Sequence, residues 1–327
     1  VLGIGLAVAA LAATGVFDGG AAPAPPAATP TATATATATP PPAARAVATI
    51  EVGEGPDGIA VDAGRVFVAN HDGHSLSVVD PLTNATVGEP IPAGTRPDGV
   101  VAGKGVVWVA GAGEDTVERF ETQGEPVRTA NVAVGDRPEA ISLGKQLVWV
   151  ANRNDGTVNR LDRASAALVG GPIGVGSEPG GIFVGRRFVW VTDLTDDTVT
   201  RIDPSTAQIV GEPIAVGHRP WGVIEAAGAA WIANSDDGTI TRLDRRTGEP
   251  LGAPIRVGTN PRQLAFGFGS VWVTNRDDNT VSRIDARAGR VVGSPIPVGA
   301  GPLSIAAGAG AVWVTNHDSH TVTRIQP

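Results

Sequence analysis

One aromatic position recurs along this chain at an unvarying step of 41 residues: Phe67, Trp108, Trp149, Trp190, Trp231, Trp272 and Trp313. A proline keeps the same step at Pro56, Pro97, Pro138, Pro179, Pro220, Pro261 and Pro302, and a glycine three residues earlier runs from Gly53 through Gly176 to Gly299. Three columns in register over seven units leave no room for coincidence. A period of this length means that each unit is one supersecondary element, able to bury its apolar surface only against its neighbours.

Each unit predicts four short strands. In the unit ending near Val216 they are IFV (182–184), VWVTD (189–193), TVTRID (198–203) and IVGEPIAV (209–216). Val, Ile, Trp and Thr are strand formers, and Gly, Asp and Pro separate them at hairpin spacing. The V-W-V strand is apolar on both faces, as a sheet covered on both sides requires. Four-stranded sheets packed radially make an all-β, seven-bladed β-propeller, with the tryptophans as blade-to-blade packing. The R-[IL]-D column, such as Arg201/Asp203 and Arg283/Asp285, is expected to be structural, with Asp203 opening a type I turn at D-P-S-T.

The ends predict closure. The last unit stops after its third strand at 321–326, while AVATIEV (46–52) aligns with a fourth strand. An N-terminal strand that completes the C-terminal blade removes the open edge of the ring. Seven units of 41 need 287 residues, and 45–327 supplies 283. The 17-residue apolar run VLGIGLAVAALAATGVF (1–17) reads as an apolar helix, a transmembrane anchor or a signal segment. Residues 18–44, with TPTATATATATPPPAA, read as a disordered Pro/Ala/Thr linker. The expected placement is a single-pass membrane protein with its propeller outside the cytoplasm, or alternatively a secreted one. Methionine is absent even at position 1, so the chain reads as a piece of a longer or alternatively started product.

Units such as PGGIFVGRRFVWVTDLTDDTVTRIDPSTAQIVGEPIAVG resemble YVTN-type (YncE-like) propeller repeats, and are similar to NHL-like and virginiamycin B lyase repeats. The likeness spans 45–327. The lyase resemblance implies a His/Glu site with bound magnesium on one propeller face, although no single repeat carries a matching motif. Anchor, stalk and propeller in that order also resemble the outer half of bacterial transmembrane Ser/Thr kinases with propeller sensors. Two classes of function follow: an extracytoplasmic ligand- or partner-binding sensor domain, and alternatively a secreted enzyme of lyase type.

Function is expected where one unit departs from the others. The residue after each proline should lie near the central channel: Asp57, Asp98, Glu139, Gly180, Trp221, Arg262 and Leu303. The three acids opposite Trp221 and Arg262 suggest a site for a cationic or sugar-like ligand. His218 belongs to the same rim, and Arg96, Arg137 and Arg219 precede their prolines, where they would neutralise acids. Four of the five histidines fall in equivalent loops of neighbouring blades, His71 and His74 in the first and His317 and His320 in the last. Equivalent positions there are expected on the order of 12 Å apart. Only pairs that lean together, such as His74 with His317 or His71 with His320, would share a divalent ion.

No other cofactor is called for. Cysteine is absent, which removes thiolate ligands and thiol nucleophiles. The formal charge of −8 argues against nucleic-acid binding. No Walker loop, G-x-S-x-G elbow, H-E-x-x-H or deaminase signature occurs. The propeller is expected to be monomeric, its partner an extracellular ligand or protein of unknown identity.

Overall fold

The computed structural model describes residues 43–327, so the apolar segment and all but the last two residues of the linker lie outside it. The described residues form seven antiparallel sheets, arranged as the repeat predicts, with no helix among them. Blade 4 is representative: Pro179–Val184 is innermost, followed by Val189–Asp193, Thr198–Ile202 and the outermost Ile214–Ala215. The core lies between blades rather than inside one. Trp149 packs with Ile182, Val189 and Val191 of the next blade. Trp313 does the same with Ile59, Val66 and Val68 of blade 1, across the seam of the ring. The six tryptophans of this column and Phe67 are at most 1% exposed. The arginine of the R-[IL]-D column lies over the tryptophan on the neighbouring strand, as Arg283 does at 5.1 Å from the Trp272 ring.

The repeating glycine has a packing cause. In five blades the second strand ends in a fully buried asparagine: Asn70, Asn152, Asn234, Asn275 and Asn316. Asn234 Nδ2 donates to Thr239 Oγ1 at 3.0 Å and Thr241 Oγ1 at 2.9 Å, while its Oδ1 accepts from the Gly217 amide at 3.2 Å. A Cβ at Gly217 would fall 2.6 Å from Asn234 Cγ, and one at Gly258 would meet Asn275 equally closely. Two blades substitute this clamp. In blade 2 Glu118 accepts the Gly94 amide, and in blade 4 Asp193 Oδ1 accepts from the amides of Thr195 and Asp196.

The outer strands depart from the expectation of one continuous strand. In blade 4 only Ile214–Ala215 pairs, with an isolated bridge at Ile209. The cause is Gly211, at φ 73°, and Pro213, which interrupt the run and remove a donor. Blade 2 has Thr129, Ala130 and Asn131 at the corresponding positions, and its outer strand Val127–Ala133 is unbroken. The closing strand Arg45–Glu51 also lacks the Gly-x-Pro. It pairs antiparallel with Thr321–Gln326, placing Ile50 opposite Val322.

The seam should therefore be stronger than an ordinary outer strand. Ile50 is 4% exposed, so Ile50→Ala should cost about 2–4 kcal/mol. Ile214→Ala, on the interrupted and more open strand of blade 4, should cost less than half of that. Denaturant melts of both variants check this, and equal losses would remove the special status of the seam.

Candidate functional site

The inner strands point side chains into the channel through a shared irregularity. Each begins at the repeating proline and then shifts register, between Pro56 and Ile59, Pro138 and Ala140, Pro220 and Val223, or Pro261 and Leu264. Such bulges re-aim a side chain. All seven residues that follow the prolines border one cavity of about 650 Å³ at the channel mouth. Three of their carbonyls are held from the preceding blade: Thr192 Oγ1 donates to Trp221 O and Thr315 Oγ1 to Asp57 O, both at 2.7 Å, and Thr274 Oγ1 to Leu303 O at 2.8 Å.

Two further columns reach the same cavity. The residue after the second strand contributes His71, Arg153, Arg276 and His317. The residue before the proline contributes Arg96, Arg137 and Arg219, each in the left-handed region at φ 54°, 56° and 52°. Blades 1 and 7 have Gly55 and Gly301 at this position, at φ 57° and 64°. Glycine adopts that conformation without strain and arginine does not.

The charges sort themselves. The Asp98 carboxylate faces His71 Nδ1 in a short contact, and Arg96 Nε donates to His71 Nε2 at 3.1 Å. Glu139 lies between Arg137 at 2.7 Å and Arg153 at 3.2 Å, and Arg153 also reaches Glu178 at 3.3 Å. The Arg262 guanidinium stacks 3.7 Å from the centre of the Trp221 ring, with Arg153 5.4 Å from the same ring. Among the described residues neither Arg262 nor Arg219 has an ion-pair partner within 4 Å, and Arg262 Nε is buried without an acceptor. Burial, and then the Asp98 carboxylate, pushes the Asp57 carboxyl up to about 7. The hydrogen bond to Asp98 raises His71 against the effect of burial, whereas burial lowers His317. Burial and then Arg276 bring Arg262 down to about 10, which leaves it charged at neutral pH.

The acids, Trp221 and Arg262 thus share one cavity, and His218 stands outside it, exposed and 3.0 Å from Asp197. The four histidines divide into two pairs. His71 and His317 meet edge to face at the mouth, with ring centres 6.2 Å apart. His74 and His320 instead accept backbone amides of the next blade, from Arg96 at 3.2 Å and Gly55 at 2.9 Å. Asp115 and Asp197 do the same for Arg137 and Arg219 in other blades. Sequence reasoning missed Arg153 and Arg276, although they occupy the same 41-residue column as His71 and His317.

A metal has one candidate set among the described residues: Asp57, His71 and Asp98, with ligand atoms within 4.8 Å of one another. The magnesium that the lyase resemblance implies does not fit it. Magnesium takes an octahedral shell of oxygens, whereas this set includes an imidazole whose two nitrogens already face Arg96 and Asp98.

Fold and site together define a closed seven-bladed propeller with a polar, arginine-rich mouth. No family model matches the sequence, and no curated protein matches it. Solved structures do match in shape. A streptogramin B lyase aligns at TM-score 0.74 and 18% identity, over 85% of this chain and 96% of that one. Virginiamycin B lyase from Staphylococcus aureus aligns at 0.72 and 18%, over 86% and 99%. Hydrazine synthase from Kuenenia stuttgartiensis aligns at 0.70 and 16%, over 84% and 96%. At these identities the likeness is one of fold, and proteins with unrelated chemistries share it.

The Asp57 carboxyl should leave a mark on stability. Its ordinary value is 3.8 and its folded value about 7. Between those values the folded protein holds a proton that the unfolded chain has released, so stability falls as pH rises through the window. Asp57→Asn removes this titration. The variant should be more stable than the parent at pH 8, by up to about 4 kcal/mol at about 1.4 kcal/mol for each pH unit of the window, with the difference vanishing towards pH 4. Denaturant melts at both pH values check it, and a pH-independent difference would contradict the assignment.

Proposed function

We propose that this chain is an extracytoplasmic recognition propeller whose mouth captures a small polar ligand. The observation that carries this reading is the cavity of about 650 Å³, the one place where every divergent channel column meets. Its volume lies in the range of small-molecule sites. The Trp, Pro and Gly columns repeat because packing demands them, but the residues at the mouth do not repeat: Asp98, Glu139, Trp221 and Arg262 stand at equivalent positions. A scaffold alone has no use for that asymmetry. Residues 1–17 would hold the chain at the membrane and residues 18–44 would space the propeller from it, in the order of parts found in receptor-type proteins. A sensor role fits this arrangement.

A second reading, an enzyme of lyase type, draws on a different observation. His71 sits between Asp98 and Arg96, beside a carboxyl that titrates near neutrality. That is a proton donor and acceptor at one mouth, and two of the similar structures are lyases. On the first reading a ligand is bound and released unchanged; on the second it is consumed.

Trp221→Ala separates mouth binding from any other mode. Trp221 is partly exposed and outside the blade-to-blade core, so its loss should cost no more than about 1 kcal/mol of stability. A thermal-shift screen of small polar molecules on the full chain should yield ligands whose stabilisation disappears in this variant. Hits that all survive the substitution would place recognition elsewhere, and mass analysis of the recovered ligand tells binding from turnover.

A further inference from the structure

The mouth contains more positive charge than its own acids can balance. Six arginines and three carboxylates border the cavity, in a chain whose formal charge is −8. Two of the three carboxylates are already engaged, Asp98 with His71 and Glu139 with Arg137 and Arg153. Arg276 has only Asp318, at 3.7 Å. Arg262 and Arg219 have no ion-pair partner among the described residues. Arg219 is exposed and Arg276 partly so, whereas Arg262 is largely withdrawn from water. Taking a guanidinium out of water without a counter-ion is costly, so the fold keeps Arg262 at the mouth against its own stability.

Their geometry is that of a receptor. Arg262 and Arg276 belong to blade 6 and Arg219 to blade 5, and the charges of Arg276 and Arg219 both act against that of Arg262. Stacking on Trp221 fixes the plane of the Arg262 fork, and its buried Nε–H has no acceptor within the protein. A planar fork with free donors matches an oxyanion in two-point contact. Arg219 stands at φ 52°, a conformation that glycine provides in blades 1 and 7.

We propose that the mouth binds a multiply charged oxyanion, a phosphate ester or a polycarboxylate, on Arg262, Arg219 and Arg276. This rests on the reading of the mouth as a small-molecule site and reverses the sign of ligand that the acid arc alone suggests. Two of the acids are used within the rim, Asp98 on His71 and Glu139 on Arg137 and Arg153, and Asp57 is the one whose charge offsets Arg262.

The test is calorimetric titration of the full chain in detergent at pH 7 and low salt. Sodium pyrophosphate and citrate are the probes, and spermidine is the cationic control. Either anion should bind with unit stoichiometry, and the preferred one tells phosphate from carboxylate recognition. Arg262→Gln should weaken it by about tenfold or more. Arg262→Lys, which keeps the charge and loses the fork, should restore only part of the affinity. Because Arg262 is an unpaired cation, Arg262→Gln should melt at or above the temperature of the parent, which excludes unfolding as the cause. Anion binding that is undiminished in Arg262→Gln overturns the proposal. So does the absence of heat from both anions while Trp221-dependent neutral or cationic ligands are found, and in that case the mouth remains a binding site of another class. Should no ligand of any charge depend on Trp221, the anion site and the mouth reading fall together.

Discussion

The mouth of this propeller depends on an amide buried at the far end of most of the second strands. In five of seven blades an asparagine at zero exposure joins three segments that would otherwise be independent. Its Nδ2 holds two residues of the third strand, and the glycine of the incoming link lies directly against its side chain. An unmade hydrogen bond at such a depth is expensive, so the three segments are locked in one arrangement. The residue after this asparagine and the residues two and four steps beyond the glycine then have no choice of direction. They emerge at the channel. The scaffold columns are therefore the reason that neighbouring columns are free to vary.

Closure makes the same economy at the scale of the ring. Five blades end in outer strands that are short or broken, because a packed inner blade does not need a complete outer edge. The seam blade is different: its outer strand comes from the other end of the chain, and it pairs from Arg45 to Glu51 with a single register shift between Ala46 and Ala48. Where the covalent link is missing, the hydrogen-bonded link is at its longest. The blade 2 outer strand shares this continuity, and there the compensation is local. Glu118 is buried in place of a neutral group and is met by Arg128 from that same outer strand.

Most of the fold was legible in the spacing of Trp, Pro and Gly, because each serves a packing or turn requirement that every blade shares. The interruption of the outer strands was legible too, in Gly211 and Pro213, but the apolar residues on either side read as one continuous strand. The site was legible only in part. The column after the proline pointed to the channel, yet its acids suggested a cationic ligand because spacing shows position and not pairing. Glu139 meets Arg137 and Arg153 only through the geometry of the rim, and Arg153 lies in a column where the histidines drew attention first. The histidine loops illustrate the same limit. His74 and His320, at φ 49° and 55°, occupy turns that turn their Nδ1 atoms towards the next blade, whereas His71 and His317 one turn earlier face the channel.

What remains is the distribution of charge. A chain of net −8 would be expected to line its concave surface with acids, as its exposed loop tips already are at Asp72, Asp136, Asp236, Asp277 and Asp318. Instead the cavity concentrates arginines from three separate columns and both sides of the blade 5–6 junction. Every one of those columns admits a neutral residue without loss of fold: Leu303 replaces Arg262 in blade 7, Ser235 replaces Arg276 in blade 5, and Asn260 replaces Arg219 in blade 6. The repeat thus supplies its own control experiment, in which packing tolerates neutrality at each position and the protein nevertheless places charge there. A ring of acids around the rim would slow an anion at long range, but this barrier is screened beyond about 8–10 Å at physiological salt, whereas contacts within the channel are not. An anion that reaches the channel would therefore meet in Arg262 a guanidinium largely withdrawn from water, the setting in which charge recognition is strongest.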